Sequence, residues 1–138
     1  VYGRIKPTKQ HKEDIIKGYH VAKILGQADV GQSVIVADGL VLGVEAIEGT
    51  DALIKRCQDL HRSAVKGVLV KVKKPHQERR ADLPTIGVQT IENAAVCGLA
   101  GVAVEKDSAF IVNKAAVIDK ANALGLFLVG IDETCRNL

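Results

Sequence analysis

The sequence has very few aromatic residues, and their scarcity narrows both the core and the function. Among 138 residues there is no Trp, and the aromatic side chains are Tyr2, Tyr19, Phe110 and Phe127. The core must therefore be built from Val, Ile, Leu and Ala, which suits parallel or mixed sheets covered by helices. Single-stranded nucleic acids are commonly bound by stacking on aromatic rings, so we expect no nucleic-acid partner.

Cysteine pairs, long apolar runs and several catalytic motifs are also missing. Cys57, Cys97 and Cys135 form no CxxC, which excludes a zinc knuckle and predicts reduced thiols in a cytoplasmic protein, the first two as small core residues. No apolar run approaches the ~20 residues that span a bilayer, so we expect no membrane-spanning helix. The sequence has no GxSxG, Walker loop, HExxH or GxGxxG, which argues against serine hydrolases, P-loop enzymes and zincins.

The chain opens on Val and contains no Met, so we expect it to be part of a longer product. Its composition, 47% apolar and 25% charged, is that of an ordinary soluble globular domain. Predicted strands and helices alternate, which indicates the α/β class with a mixed sheet flanked by helices. We assign residues 1–12 to a linker and residues 13–138 to one such domain.

Local signals place the individual elements. Thr8 is expected to cap a helix over 9–27 whose basic face, including Lys23, is solvated, and Asp38-Gly39 predicts a hairpin because a type I′ turn needs positive φ. A buried strand is expected at 67–72. The remaining predictions are strands at 33–37, 40–45 and 127–131, a strand pair at 102–105 and 109–112, and helices from Gly49 or Thr50 to about Arg62, from Ile91 to Cys97 behind a Thr90 cap, and over 114–124 behind an Asn113 cap.

Positive charge is concentrated after the buried strand. From Arg62 to Arg80 there are seven Lys or Arg residues and one acid, Glu78. Lys71 and Lys73 share a strand face by period-two alternation, and Arg side chains match phosphate oxygens in pairs. We interpret this basic segment as a pyrophosphate or nucleotide site, although a solvated basic loop would have a similar composition. The candidate contacts are Lys71, Lys73, Lys74, His76, Gln77, Arg79 and Arg80.

Carboxylates accompany these cations. Pro84 keeps Leu83 extended, so Asp82 is not on a helix, and the neighbouring arginines favour a low pKa that suits a metal ligand or electrostatic anchor. A second acidic segment holds Glu45, Glu48 and Asp51, although Asp51 also fits as a complement to a helix dipole. If the sheet brings both segments together, the carboxylates suit Mg²⁺ and metal-assisted phosphoryl chemistry.

Long segments resemble a known family. They are Gly-Val-Glu-Ala-Ile-Glu-Gly-Thr-Asp ending at Asp51, Lys-Val-Lys-Lys-Pro-His-Gln-Glu-Arg-Arg-Ala-Asp-Leu-Pro-Thr-Ile-Gly ending at Gly87, Gly-Leu-Ala-Gly-Val-Ala-Val ending at Val104 and Gly-Leu-Phe-Leu-Val-Gly ending at Gly130. Together they resemble the C-terminal domain of LpxI-type UDP-2,3-diacylglucosamine pyrophosphatases of Gram-negative bacteria. The resemblance extends over essentially the whole chain.

The resemblance implies more than the residues do by themselves. It implies hydrolysis of UDP-2,3-diacylglucosamine to 2,3-diacylglucosamine 1-phosphate (lipid X) and UMP in lipid A synthesis, with Mg²⁺ or another divalent cation, in a homodimer with a further N-terminal domain. It assigns the catalytic aspartate to Asp82. Glu48 and Asp51 match the family's other acidic segment and are added as catalytic candidates, with Asp82 and Glu48 as metal ligands. Lys71, Lys73, Gln77, Arg79, Arg80 and Thr85 are the expected substrate-binding residues.

Two other functions stay open at the level of sequence. A non-catalytic module that binds a nucleotide sugar or phosphoester would use the same basic segment without turning its ligand over. A nucleic-acid module is disfavoured by the few aromatics and by the acidic segment from Glu45 to Asp51.

Overall fold

Helices and strands alternate along the chain, as the sequence predicts. The computed structural model describes residues 1–61, 64–74, 85–106 and 110–135. The helices are α1 (Lys9–Gln27), α2 (Thr50–Cys57), α3 (Val88–Val96) and α4 (Lys114–Leu124), and a 3-10 turn at Gln58–Leu60 follows α2. The strands are β1 (Ser33–Ala37), β2 (Leu40–Val44), β3 (Val68–Lys71), β4 (Thr85–Ile86), β5 (Gly101–Glu105), β6 (Phe110–Ile111) and β7 (Phe127–Ile131).

The main sheet has the strand order β2-β1-β3-β5-β7. Strand β1 is antiparallel to both β2 and β3, whereas β3, β5 and β7 are parallel to one another. Every residue of β1 and β7 is buried, which requires helices on both faces of the sheet. The prediction of an α/β fold with a mixed sheet flanked by helices is therefore confirmed.

The two faces of the sheet carry separate apolar clusters. Ile15, Tyr19 and Ala22 of α1 pack with Val34 and other buried residues on one face. The cluster on the opposite face combines buried side chains of α2, α3 and α4 with the alternate residues of the strands. This three-layer arrangement hides both sides of the parallel strands, so polar side chains concentrate at the strand ends.

Helix α1 begins where its cap predicts. The Thr8 Oγ1 atom accepts a hydrogen bond of 3.2 Å from the His11 backbone N–H, and His11 Nδ1 accepts one of 3.1 Å from the Thr8 N–H. This is a capping box in which a histidine takes the place of the common Glu or Gln. Farther along, a Cβ added at Gly18 would lie only 2.6 Å from Val70 Cγ2, so the glycine lets α1 approach the sheet closely.

The predicted hairpin is confirmed. Asp38 and Gly39 have φ values of 51° and 80°, the positive values that a type I′ turn needs. The buried Asp14 carboxylate on α1 accepts hydrogen bonds from both turn residues, 2.9 Å from the Asp38 N–H and 2.8 Å from the Gly39 N–H. The helix thus holds the turn between β1 and β2.

Three local predictions were wrong. Helix α3 begins at Val88 after Gly87, so Thr90 is a buried residue inside the helix and not its cap. Helix α2 ends at Cys57 and continues as the 3-10 turn, short of the expected Arg62. Strand β5 does not pair with the strand after it but lies between β3 and β7, where both of its apolar faces are covered, and β6 pairs with β4 in parallel.

The prediction that Cys57 and Cys97 are small core residues agrees with the structure. Cys57 and Cys97 are buried among apolar side chains, Cys135 is half-buried, and all three are free. Among the described residues, no helix combines the length and the apolar composition that crossing a membrane requires.

Candidate functional site

The basic and acidic segments meet at one edge of the sheet. The carboxyl ends of parallel strands lie at the same edge, which here pairs Lys71 of β3 with Val104 of β5, one residue before Glu105. Strand β1 runs the other way, so its first residue, Ser33, pairs with Lys71. The Glu45 N–H donates a hydrogen bond of 2.9 Å to the Ser33 carbonyl, which places the start of the acidic segment beside the end of β3.

Lys71 is a half-buried cation at this edge. Its Nζ atom donates a hydrogen bond of 2.9 Å to the backbone carbonyl oxygen of Thr85. Burial lowers the pKa of the ammonium group, whereas the negative charges of Glu45 and Asp51 raise it. Because these carboxylates oppose the effect of burial, they help keep a partly desolvated positive charge at the edge of the sheet.

Glu45 has a buried carboxylate that connects the start of β1 with the start of α2. Its Oε1 atom accepts from the Gln32 N–H at 2.8 Å, and its Oε2 atom accepts from the Thr50 hydroxyl at 3.0 Å. The Ser33 and Thr50 hydroxyl oxygens are 2.9 Å apart. These bonds fix the first residue of α2 against the first residue of β1, directly beside Lys71.

Glu48, a predicted catalytic and metal-binding residue, is exposed and paired. The Arg56 Nη2 atom lies 2.7 Å from Glu48 Oε1, and the Ala46 N–H donates to Glu48 Oε2 at 3.3 Å. The hydrogen bond from Arg56 lowers the pKa of the Glu48 carboxyl, and Arg56 also donates to the Val44 carbonyl oxygen at 2.7 Å. A metal ion at Glu48 would therefore compete with the guanidinium group.

Asp51 lies in the first turn of α2 and is exposed. Its charge raises the pKa of Lys71, so it acts electrostatically on the same edge. A carboxylate in the first turn of a helix also interacts favourably with the helix dipole. The geometry is therefore compatible both with a role of Asp51 at the site and with a role in stabilising α2.

Lys73 is held by a pair that sequence analysis missed. The Lys73 N–H donates to Glu105 Oε1 at 2.8 Å, and Lys23 Nζ donates to both Glu105 oxygens at 2.7 Å. The prediction that Lys23 belongs to a solvated basic face was thus wrong. No local pattern could reveal the pair, because Lys23 and Glu105 are 82 positions apart in the sequence. Lys74 is paired as well, 3.0 Å from Asp29 Oδ1.

Several predicted contacts lie outside the described residues. They are His76, Gln77, Arg79, Arg80 and Asp82. Across residues 1–61, 64–74, 85–106 and 110–135, no group of three or more His, Cys, Asp or Glu is arranged to hold a metal ion. Mg²⁺ commonly takes only one or two carboxylates, with substrate phosphates and water, so its predicted site stays a prediction.

The fold and this edge define an α/β domain of the kind that binds ligands at the carboxyl ends of its parallel strands. A shifted pKa beside opposing charges, as found for Lys71 with Glu45 and Asp51, is common at functional sites. The model of the LpxI C-terminal domain family matches residues 1–129, and the chain belongs to that family. The family resemblance predicted from the sequence motifs is confirmed.

A relative from Caulobacter vibrioides carries the name UDP-2,3-diacylglucosamine pyrophosphatase LpxI. It is 47% identical to this chain over 137 residues, a match that covers 94% of the chain and 49% of the relative. The chain thus spans about half the length of this curated relative.

Proposed function

We propose that this chain is the catalytic-side domain of an enzyme that hydrolyses the pyrophosphate of UDP-2,3-diacylglucosamine in lipid A synthesis. Membership of the LpxI C-terminal domain family supports the reaction class. The observation that carries the proposal is the half-buried Lys71 ammonium, flanked by the charges of Glu45 and Asp51 at the edge where ligands of α/β domains bind.

In the proposed reaction, water attacks one phosphorus atom of the pyrophosphate and the bridging P–O bond breaks. The products are 2,3-diacylglucosamine 1-phosphate and UMP, and the proton of the attacking water is released. Asp82 orients that water, and Glu48 and Asp51 are the second candidates for this role. The cations Lys71, Lys73, Arg79 and Arg80 neutralise the phosphate oxygens, and Gln77 and Thr85 donate or accept hydrogen bonds to the substrate.

A divalent cation, Mg²⁺ or a similar ion, is part of the proposal. Hard carboxylate oxygens are the donors such an ion takes. Glu48 offers an exposed carboxylate, which the ion would take over from the Arg56 guanidinium. Asp82 and Glu48 would hold the ion together with substrate phosphates. When bound, the ion supplies charge neutralisation at the pyrophosphate.

The proposed setting follows from the substrate. A diacylated sugar nucleotide has acyl chains that favour a lipid surface, so we expect peripheral contact with the membrane through the substrate. The free cysteines favour the cytoplasm as the compartment. We also expect a homodimer, which light scattering on the full-length protein would test. A monomer at assay concentration would contradict that part of the proposal.

The test of the function is UMP release from UDP-2,3-diacylglucosamine by the full-length protein, with and without Mg²⁺. Asp82→Ala should lower turnover by on the order of a hundredfold or more, as expected for loss of a group that acts in the transition state. Asp119→Ala, an exposed change on α4, is the matched control and should retain turnover. Near-normal turnover of a folded Asp82→Ala protein would contradict the assignment.

Calorimetry separates the enzyme from the binding module. A non-catalytic module would bind the UDP-sugar with or without Mg²⁺ and return it unchanged. Binding without UMP release by the full-length wild-type protein would favour that alternative over hydrolysis.

A further inference from the structure

The carboxylate of Glu105, at the end of β5, binds two partners from distant parts of the chain. Its Oε1 atom accepts from the Lys73 N–H at 2.8 Å, and both of its oxygens lie 2.7 Å from Lys23 Nζ. Lys23 Nζ also donates to the Lys73 carbonyl oxygen at 3.3 Å. The two side chains therefore bind the N–H and the C=O of one and the same residue.

The position of Lys73 explains why side chains are needed there. Strand β3 ends at Lys71, and the last backbone bond toward β1 is donated by the Val72 N–H to the Gln32 carbonyl oxygen at 2.9 Å. At Lys73, one residue later, Glu105 accepts the N–H and Lys23 donates to the C=O. The Lys23–Glu105 pair thus continues the restraint of the backbone past the end of the strand.

The pair is itself well held. Its side chains are only 30% exposed for Lys23 and 14% exposed for Glu105, so solvent screens the contact weakly. Lys23 Nζ lies 5.5 Å from the centre of the ring of Tyr19, a buried residue one helical turn earlier on α1. Charge-assisted hydrogen bonds in such partly desolvated surroundings are stronger and more directional than exposed ones.

We propose that Lys23 and Glu105 are a positioning pair, which fixes the backbone of Lys73 so that its side chain meets the phosphate groups of the substrate. The inference rests on the proposed function, since Lys73 is a predicted phosphate contact. Neither member of the pair touches substrate in this account. Both act through Lys73, and their effect is therefore on substrate affinity.

The protein offers a matched control pair. Lys120 and Glu92 join α4 to α3 at 3.6 Å, with side chains 39% and 42% exposed. These helices pack on the sheet face opposite to α1, and neither residue is part of the proposed site. Exposed pairs of this kind contribute little to stability or function.

The test measures kcat and KM for UMP release by full-length Glu105→Gln and Lys23→Met proteins, beside Glu92→Gln and Lys120→Met. Loss of the positioning pair should raise KM on the order of tenfold, the effect of weakening a charge-assisted contact. A variant that is merely less stable would have less active enzyme, which lowers apparent kcat and leaves KM unchanged. Lys23→Arg, which keeps a cationic donor, should retain most of the wild-type affinity.

A charge-swapped protein, Lys23→Glu with Glu105→Lys, sharpens the test. It keeps an ion pair but places a carboxylate against the Lys73 carbonyl and an ammonium against the Lys73 N–H. We expect its KM to stay raised even where its melting temperature recovers.

Each outcome has a definite meaning. Wild-type KM in Glu105→Gln and Lys23→Met proteins, or in the charge-swapped protein, would overturn the positioning pair while leaving the proposed function intact. Absence of UMP release by the wild-type protein would overturn the proposed function and the inference with it. If Glu105→Gln does not fold, the comparison of Lys23→Met with Lys23→Arg decides the inference on KM alone.

Discussion

The ammonium nitrogen of Lys71 lies 2.9 Å from the backbone carbonyl oxygen of Thr85 and donates a hydrogen bond to it. The two residues lie on either side of positions 75–84 in the chain, which include Asp82 and both predicted arginine contacts. The end of the central strand is thereby connected to the strand that leads into α3. The same ammonium lies within electrostatic reach of Glu45 and Asp51.

Lys71→Met should impair the proposed reaction without unfolding the domain. It removes a half-buried charge and its hydrogen bond while keeping most of the apolar stem, so kcat/KM for UMP release should fall by about ten- to a hundredfold. Lys66→Met is the control, because Lys66 is exposed and precedes the opposite end of β3. Equal kcat/KM for the two variants would show that the Lys71 charge does not act on the substrate.

Glu45→Gln should move the alkaline limb of the pH profile. Lys71 must carry its proton to bind phosphate, and burial lowers its pKa from the usual 10.5, so kcat/KM should decline as pH rises through that lowered pKa. The Glu45 charge raises the pKa of Lys71. A glutamine at this position keeps a hydrogen-bond acceptor but removes the charge, so the pKa of Lys71 should fall and the decline in kcat/KM should begin at lower pH. Glu92→Gln, on α3, should leave the limb in place. If the pH profile of the Glu45→Gln protein matches that of the wild type, deprotonation of Lys71 is not the cause of the alkaline decline.

Asp14→Ala should destabilise the protein through the hairpin turn. The change removes the acceptor of the Asp38 and Gly39 N–H groups, and a cost of about 1–3 kcal/mol is expected for leaving such donors without their partner. Urea unfolding followed by circular dichroism measures the free energy of unfolding. Glu13→Ala, one position earlier and exposed, should change it little. A similar loss in both variants would contradict a specific role for the buried carboxylate.

His11→Gln should remove a pH dependence of stability. Burial lowers the pKa of His11 from 6.5, and the nearby Asp14 only partly opposes this, so the folded state favours the neutral ring that accepts the Thr8 N–H. Stability from this group is complete above the unfolded-state pKa and is lost as pH falls from about 6.5 toward the lowered pKa of the folded state. Glutamine suits the same capping box without titrating, and the denaturant midpoint of this variant should vary less between pH 7 and pH 5. An unchanged pH dependence would exclude His11 as its source.

Sequence alone predicts the elements that depend on neighbouring residues and fails where distant parts of the chain decide the structure. The start of α1 depends on Thr8 and the turn after β1 depends on Asp38-Gly39. Both were predicted correctly because a hydrogen bond three residues away decides the first and the local backbone conformation decides the second. The partner of β5 was predicted wrongly, because adjacency in sequence favoured a hairpin whereas burial of both faces favoured a central position in the parallel sheet.

For this protein, the sequence by itself determined the class of fold, the family and the concentration of cations and carboxylates in two segments. Composition and local periodicity carry that information residue by residue. Only the tertiary structure decided which charges meet: Glu45 beside Lys71, and Lys23 with Glu105 around the backbone of Lys73. The physical reason is that strand order and direction place these residues at one edge, and local pattern specifies neither order nor direction.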